Sequence, residues 1–237
     1  METGTKTERR PMSLPIVRQV THPIVDSDMR FPVRRVYCVG RNYDAHSIEM
    51  GGDPKKDPPF FFMKPADTLV PPGGEFPYPP ASSDVHHEVE FVIAIGSEGT
   101  DVSLEDALNH VWGYAVGIDM TRRDLQAAAK KAGRPWSTAK GFDHSAPMSA
   151  LVPVSKCGHP SAGAITLTVN GEDRQTGDLT QMVWDTANIV SYLSGLFTIR
   201  PGDLIFTGTP SGVGPVQQGD VMEASIAGLP TIRVPVV

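Results

Sequence analysis

The sequence predicts an α+β fold in a single domain, and three observations predict it. Most of the chain reads as short strand-like runs separated by Gly and Pro turns. Only a few segments carry apolar residues at helical spacing. Neither an internal repeat nor a linker divides the chain. Its 237 residues, 40% hydrophobic and 20% charged, suffice to bury one substantial core. Residues 1–15 are polar and aperiodic and read as a flexible N-terminal extension, so residues 16–237 form the folded domain.

Taken in order, RRVYCVG is a short strand, and the RNYDAHSIEMGGDPKKDPP that follows allows one helical turn, capped by Asn42 or Asp44 and ended by Gly51-Gly52, before a mobile loop. After FFFMKPADTLV, the turn signals PPGG and PYPP exclude a long helix. VHHEVEFVIAIG is the strongest strand. Alternation puts Val85, His87, Val89, Phe91, Ile93 and Ile95 on a core face, and His86, Glu88 and Glu90 on an acidic one. SLEDALNHV reads as a helix with Ser103 as N-cap and Asp106 in the box position, and WGYAVGIDM as a buried strand. In that strand Gly113, Ala115 and Gly117 share the side of Asp119 and leave room for a close approach. TRRDLQAAAKKAG is a helix with a Thr121–Asp124 capping box and a stop at Gly133. The last third is mostly β: a hairpin at Asn170-Gly171, one helix in MVWDTANIVSYLSGLF, then PGDLIFTGTPSGVGPV and a final strand pair.

Composition excludes several classes. A formal net charge of −6 and the absence of a basic stripe argue against nucleic-acid binding. No apolar run reaches membrane-spanning length and none near the N-terminus suits a secretory signal, so a cytoplasmic protein is expected. The two cysteines, Cys38 and Cys157, cannot form a disulfide framework, and Cys38 reads as a buried, inert thiol.

The candidate chemistry is carboxylate-rich. Glu88 and Glu90, two apart on a strand, project from one face about 7 Å apart at Cα, a span one cation bridges. Asp119, ending a strand of small residues, is a third candidate. Three carboxylates are hard oxygen donors that select Mg²⁺, Mn²⁺ or Ca²⁺ over Zn²⁺, and the positions they leave open for a chelating substrate fit Mg²⁺ or Mn²⁺ best. On spacing alone, a solvated strand face explains the two glutamates equally well. His46 and Glu49, at i and i+3, meet on a helical turn as an imidazole oriented by a carboxylate, the pair needed to take a proton from water; an exposed helical pair has the same spacing. Lys64 in FFFMKPAD and Lys140 in STAKGFD are single cations among apolar or small residues, suited to an anionic substrate or to snorkelling from a strand end.

GRNYDAHSIEM, FFFMKPAD, DVHHEVEF, GIDMTRRDLQ, STAKGFD, VNGEDRQ and PGDLIFTGTPSGVGPV, in that order from about Val36 to Val234, resemble the fumarylacetoacetate hydrolase family. Within it the chain is most similar to short acylpyruvases, notably bacterial fumarylpyruvate hydrolases. The resemblance implies a mixed β-roll with peripheral helices, usually a homodimer. It implies that Glu88, Glu90 and Asp119 ligate Mg²⁺ or Mn²⁺ and that His46 and Glu49 form a water-activating dyad on a closing segment. Lys140 would support developing negative charge, and Lys64, Arg123, Gln126 and Thr209 would contact substrate. The implied activity is hydrolysis of the C–C bond of a small anionic acylpyruvate, fumarylpyruvate being the first expectation. Decarboxylation of oxaloacetate or another β-keto acid, tautomerisation of a 2-oxo-diacid, and a metal-binding module without catalysis are the alternatives.

Overall fold

Extended segments rich in Val, Ile and Phe set the architecture, and a computed structural model describes it for residues 14–43 and 58–237. Among these residues the strands are β1 (Thr21–Ile24), β2 (Ser27–Pro32), β3 (Arg35–Gly40), β4 (Phe60–Lys64), β5 (Leu69–Val70), β6 (Val85–His87), β7 (Val89–Ile95), β8 (Val111–Ile118) and β9 (Thr121–Arg122). They continue with β10 (Ala146–Pro147), β11 (Val152–Pro153), β12 (Ala164–Val169), β13 (Glu172–Asp178), β14 (Asp203–Phe206), β15 (Gly214–Pro215), β16 (Val221–Ile226) and β17 (Ile232–Pro235). The central sheet has the order β11-β8-β7-β14-β3-β4. It is mixed, because β14 runs parallel to β3 while its other neighbours are antiparallel. An antiparallel sheet, β13-β12-β16-β17, a three-stranded one, β15-β6-β9, and the two-stranded pairs β1-β2 and β10-β5 make up the rest of the described strands. Four α-helical segments, Arg123–Lys131, Ser137–Lys140, Val154–Cys157 and Thr186–Leu196, are described around it. This is the expected α+β fold of mixed sheets with few helices.

The core lies on both faces of the central sheet. On one side Phe91, Ile93, Tyr114 and Val116 pack with Ile165, Leu167, Ala224 and Ile226 of the four-stranded sheet. On the other, Val36, Cys38, Val92, Ala94, Leu204 and Phe206 pack with Phe31, Val33, Met148 and Leu151. Burying both faces explains why β7 is apolar along most of its length. Arg34 and Arg35 both pair with the fully buried Asp203 at the start of β14, at 3.1 and 2.8 Å, tying the parallel strands together at one end.

Several local expectations change. The run VHHEVEFVIAIG is two strands, broken at Glu88, and its second face is acidic only at Glu88 and Glu90, since Val92 and Ala94 continue it into the second core. SLEDALNHV forms only a 3-10 turn at Ala107–His110. Ser103 and Asp106 do bond each other, but a capping pair alone does not offset the cost of nucleating a helix. The helix after Asp119 starts at Arg123 with no side-chain cap, because Asp124 bonds Ser82 and Thr121 Oγ1 donates to the Asp119 carbonyl. The small side of β8 admits no ligand at Gly113 or Gly117: β11 backbone packs on Gly113, and the Phe206 ring lies over Gly117. The Asn170-Gly171 hairpin forms as expected, with both residues at positive φ. Cys38 is buried, and both cysteines are free. No described helix is long and apolar enough to cross a membrane. The extension expected over residues 1–15 and the dyad segment around His46 and Glu49 fall almost entirely, and entirely, outside the described residues.

Candidate metal centre and cavity

The β7–β8 ladder brings the acidic residues together. Glu90 pairs with Gly117 and Val89 with Ile118, and beyond the last rung the Asp119 amide donates to the Glu88 carbonyl at 2.8 Å. Residues opposite each other in a ladder share a face, so Asp119 joins Glu88 and Glu90 on the side that Val89 and Ile118 leave. One carboxylate oxygen from each of the three lies within 4.8 Å of those of the other two, and all three residues are buried.

Cations surround this trio. Lys140 Nζ donates to Glu88 Oε2 at 2.6 Å and to Asp119 Oδ2 at 2.7 Å. Burial disfavours the Lys140 ammonium, but Asp119 and Glu88 outweigh it and hold its pKa above the ordinary lysine value. Arg123 Nη2 donates to Glu88 Oε1 at 2.6 Å, and its Nη1 to Gln126 Oε1 at 2.6 Å. Lys64 Nζ donates to the Met120 carbonyl, the Lys140 carbonyl and Ser145 Oγ. It also lies 2.7 Å from Asp119 Oδ1. An ammonium has three hydrogens, and with other acceptors competing that contact is an ion pair without hydrogen-bond alignment; Oδ1 accepts no hydrogen bond.

Glu90 is the exception. Its Oε2 accepts from the Gly208 amide at 2.8 Å, and no described cationic side chain forms an ion pair with it. Burial, then the charges of Asp119 and Glu88, push its carboxyl well above the usual range. A hard dication relieves this crowding, and three buried carboxylate donors within reach of a single ion match its chemistry. The residues present therefore fit Mg²⁺ or Mn²⁺.

The trio faces an open cavity whose empty space, counting the solvent at its mouth, is about 360 Å³. Arg123, Gln126, Lys140 and Thr209 line it as well, so the structure brings these four expected residues to the carboxylates. Lys64 does not line it; its ammonium lies behind Asp119, where it fixes that carboxylate. His86 and His87 are not part of the lining: His86 bonds Asp84 at 2.8 Å and His87 bonds Gln175 at 2.9 Å, and burial lowers both imidazole pKa values.

Sequence reasoning missed two groups. Trp136 packs edge-on against Phe60 and Phe62, at 5.4 and 5.7 Å between ring centroids, and the three rings form an apolar wall of the cavity. The run FFF next to Lys64 was the available signal, since alternation on a strand sends Phe60 and Phe62 to one side. The second is Gln175 on β13. Its Oε1 accepts from the Val89 amide at 3.0 Å, and its Nε2 donates to Thr209 Oγ1 at 2.8 Å and to the Pro210 carbonyl at 2.9 Å. One buried amide thus joins the glutamate-bearing strand to the loop that carries Thr209.

Residues 35–237 match the family model described as fumarylacetoacetate (FAA) hydrolase, C-terminal. The chain belongs to the fumarylacetoacetate hydrolase family. Among solved structures of related proteins, the fumarylpyruvate hydrolase of Pseudomonas aeruginosa in complex with Mn²⁺ and pyruvate is 54% identical, with a TM-score of 0.92 over 94% of this chain and 98% of that one. Among relatives by sequence, the mitochondrial oxaloacetate decarboxylase of Dictyostelium discoideum is 42% identical over 84% of this chain and 91% of its own length. The mitochondrial oxaloacetate tautomerase of Mus musculus is 42% identical over 84% of this chain and 90% of its own. The names of these relatives divide among hydrolysis, decarboxylation and tautomerisation.

Proposed function

We propose that this chain hydrolyses the C–C bond of an acylpyruvate, with fumarylpyruvate, yielding fumarate and pyruvate, as the substrate of choice. The observation that carries the reading is the buried Glu88–Glu90–Asp119 trio facing a cation-lined cavity, in a chain 54% identical to a fumarylpyruvate hydrolase whose structure holds Mn²⁺ and pyruvate. A dication held by these carboxylates supplies Lewis acidity toward the 2-oxo acid end of the substrate and lowers the cost of negative charge there.

The remaining chemistry belongs to the chain. His46, oriented by Glu49, takes the proton of a water that attacks the acyl carbonyl. The tetrahedral adduct collapses, the bond to the pyruvyl methylene breaks, and its electron pair leaves as pyruvate enolate. Lys140 and Arg123 hold Glu88 and add positive charge beside that enolate. Gln126 and Thr209, both in the cavity lining, position the substrate, and Lys64 keeps Asp119 in place. The aromatic wall of Phe60, Phe62 and Trp136 limits water near the reacting carbonyl. The homodimer and the cytoplasmic location belong to this reading through family resemblance and composition.

One observation favours a second reading: the curated relatives at 42% identity are an oxaloacetate decarboxylase and oxaloacetate tautomerases. Neither reaction needs an activated attacking water. Three assays on the purified protein separate them: pyruvate released from fumarylpyruvate, CO₂ released from oxaloacetate, and enol–keto conversion of oxaloacetate without CO₂. Hydrolysis predicts that His46→Ala lowers pyruvate release at least 100-fold while Mn²⁺ affinity stays within about threefold. Equal hydrolytic rates in the variant and the parent sink the dyad. Oxaloacetate turnover with no acylpyruvate cleavage replaces the first reading by the second.

A further inference from the structure

Arg41 follows β3 and lines the same cavity as the carboxylate trio. Its backbone is left-handed, at φ +59°, a conformation an arginine rarely adopts. The neighbouring residues hold it there. The buried Asn42 side chain donates to the carbonyls of Trp184 and Thr207, at 2.9 and 2.8 Å, and accepts from the Trp184 amide at 2.8 Å. On the other side, Gly40 lets the Phe60 ring lie against the backbone, since a Cβ there would sit 2.0 Å from Phe60 Cζ. The Arg41 guanidinium lies over that ring, 5.9 Å from its centroid.

Among the described residues the charge has no hydrogen-bonded or ion-pair partner. Arg41 Nε is buried without a hydrogen-bond acceptor, and among the described residues no carboxylate pairs with the guanidinium. Arg123 and Lys140, by contrast, are already engaged with Glu88, and Lys140 with Asp119 as well. Lys130, on the helix Arg123–Lys131, does not line the cavity, but it is held below its ordinary pKa by burial first and then by the charges of Arg41 and Arg123. A strained arginine at a cavity wall, unpaired among the described residues, is costly unless a ligand satisfies it. Its planar fork matches one ligand group best, a carboxylate.

We propose that Arg41 receives a second carboxylate, at the far end of a 2-oxo acid whose other end is held at Glu88, Glu90 and Asp119. The substrate class is thereby narrowed to 2-oxo-dicarboxylates, against acylpyruvates and 2-oxo acids that end in an alkyl group. This rests on the reading of the trio as the 2-oxo acid site, but it holds for hydrolysis and for oxaloacetate chemistry alike, because both substrates carry two carboxylates.

The test is equilibrium binding in the presence of Mg²⁺, with ligands matched in length: 2-oxoglutarate against 2-oxovalerate, and 2-oxoadipate against 2-oxohexanoate. The parent protein is expected to bind at least one diacid about tenfold or more tightly than its matched monoacid. Arg41→Gln should weaken that diacid by about 10- to 100-fold, the range of a charge-assisted hydrogen bond, and leave the monoacid within twofold. Arg41→Lys, which keeps the charge but loses the fork, should fall between. If Arg41→Gln does not fold, the lysine variant decides: selective weakening of the diacid supports the proposal. No discrimination by the parent, or equal weakening of both ligands in a variant, overturns it. Monoacid binding by the parent reports on the trio itself, and pyruvate release on the proposed reaction, so failure of either is distinguishable from failure of the role of Arg41.

Discussion

At the scale of single residues, the molecule places titratable groups where water is scarce, and each placement has a measurable cost. His22 is buried, its Nε2 is 3.0 Å from the Ser149 carbonyl, and burial chiefly lowers its pKa from 6.5 to about 4. The unfolded chain therefore binds a proton that the folded one refuses between those values. Stability from this group is complete above pH 6.5 and is lost as pH falls toward 4, by roughly 3 kcal/mol in all. We expect His22→Gln to flatten the pH dependence of the unfolding free energy across that window in urea titrations; an unchanged slope would show that His22 is not the group responsible. Glu88, Glu90, Asp119, Arg123, Gln126, Lys140 and Thr209, which the family resemblance named together, meet at one cavity; strand spacing by itself pointed only to the two glutamates and left a solvated face as an equal reading. The burial of Lys64 behind Asp119 was not legible, because which side of a carboxylate a lysine takes depends on β4 and Ser145 meeting across the sheet.

At the scale of elements, pairing decides what the sequence leaves open. Alternation correctly put Glu88 and Glu90 on one side of a strand, yet the joining of Asp119 to them follows from the β7–β8 register, in which Glu90 faces Gly117. That register needs a glycine. A Cβ at Gly117 would lie 2.4 Å from Phe206 Cε1 and 2.7 Å from Val92 Cγ2, inside the second core. Gly117→Ala should therefore lower the unfolding free energy by about 1–3 kcal/mol, read from the urea midpoint, and reduce turnover by tilting Glu90; a midpoint equal to the parent's would refute the packing argument. The same β8 face, which the sequence offered as an approach for a ligand, is filled by protein because β11 and β14 arrive from more than thirty positions away. Hairpin and helix-stop signals at Asn170-Gly171 and Gly133 were readable since they depend only on local backbone sterics. The helix expected at SLEDALNHV failed because a capping pair alone does not offset the cost of the first turn.

At the scale of the whole molecule, two faces of a mixed sheet are buried so that one end can carry three carboxylates and the cations that hold them. The α+β class was legible because strand-like runs outnumber helical ones, whereas the strand order was not, since no pattern in one chain states that β14 inserts between β7 and β3. A cation bound by the folded chain alone stabilises it by mass action. With Mg²⁺ or Mn²⁺ at 100 times its dissociation constant, the melting temperature should rise by roughly 5–10 °C, and EDTA should abolish both the rise and the activity. Glu90→Gln should remove the thermal shift while the protein still melts cooperatively; a full shift in that variant would place the ion elsewhere. Gln175 has a practical consequence for anyone wishing to attach something to this protein. The loop at Asn170-Gly171 ends four residues from a side chain that grips both the β6–β7 junction and the Thr209 segment. A reporter peptide spliced between Asn170 and Gly171 extends into open surroundings, whereas one residue added between Gly171 and Gln175 would withdraw that amide from its partners and silence the enzyme from a distance.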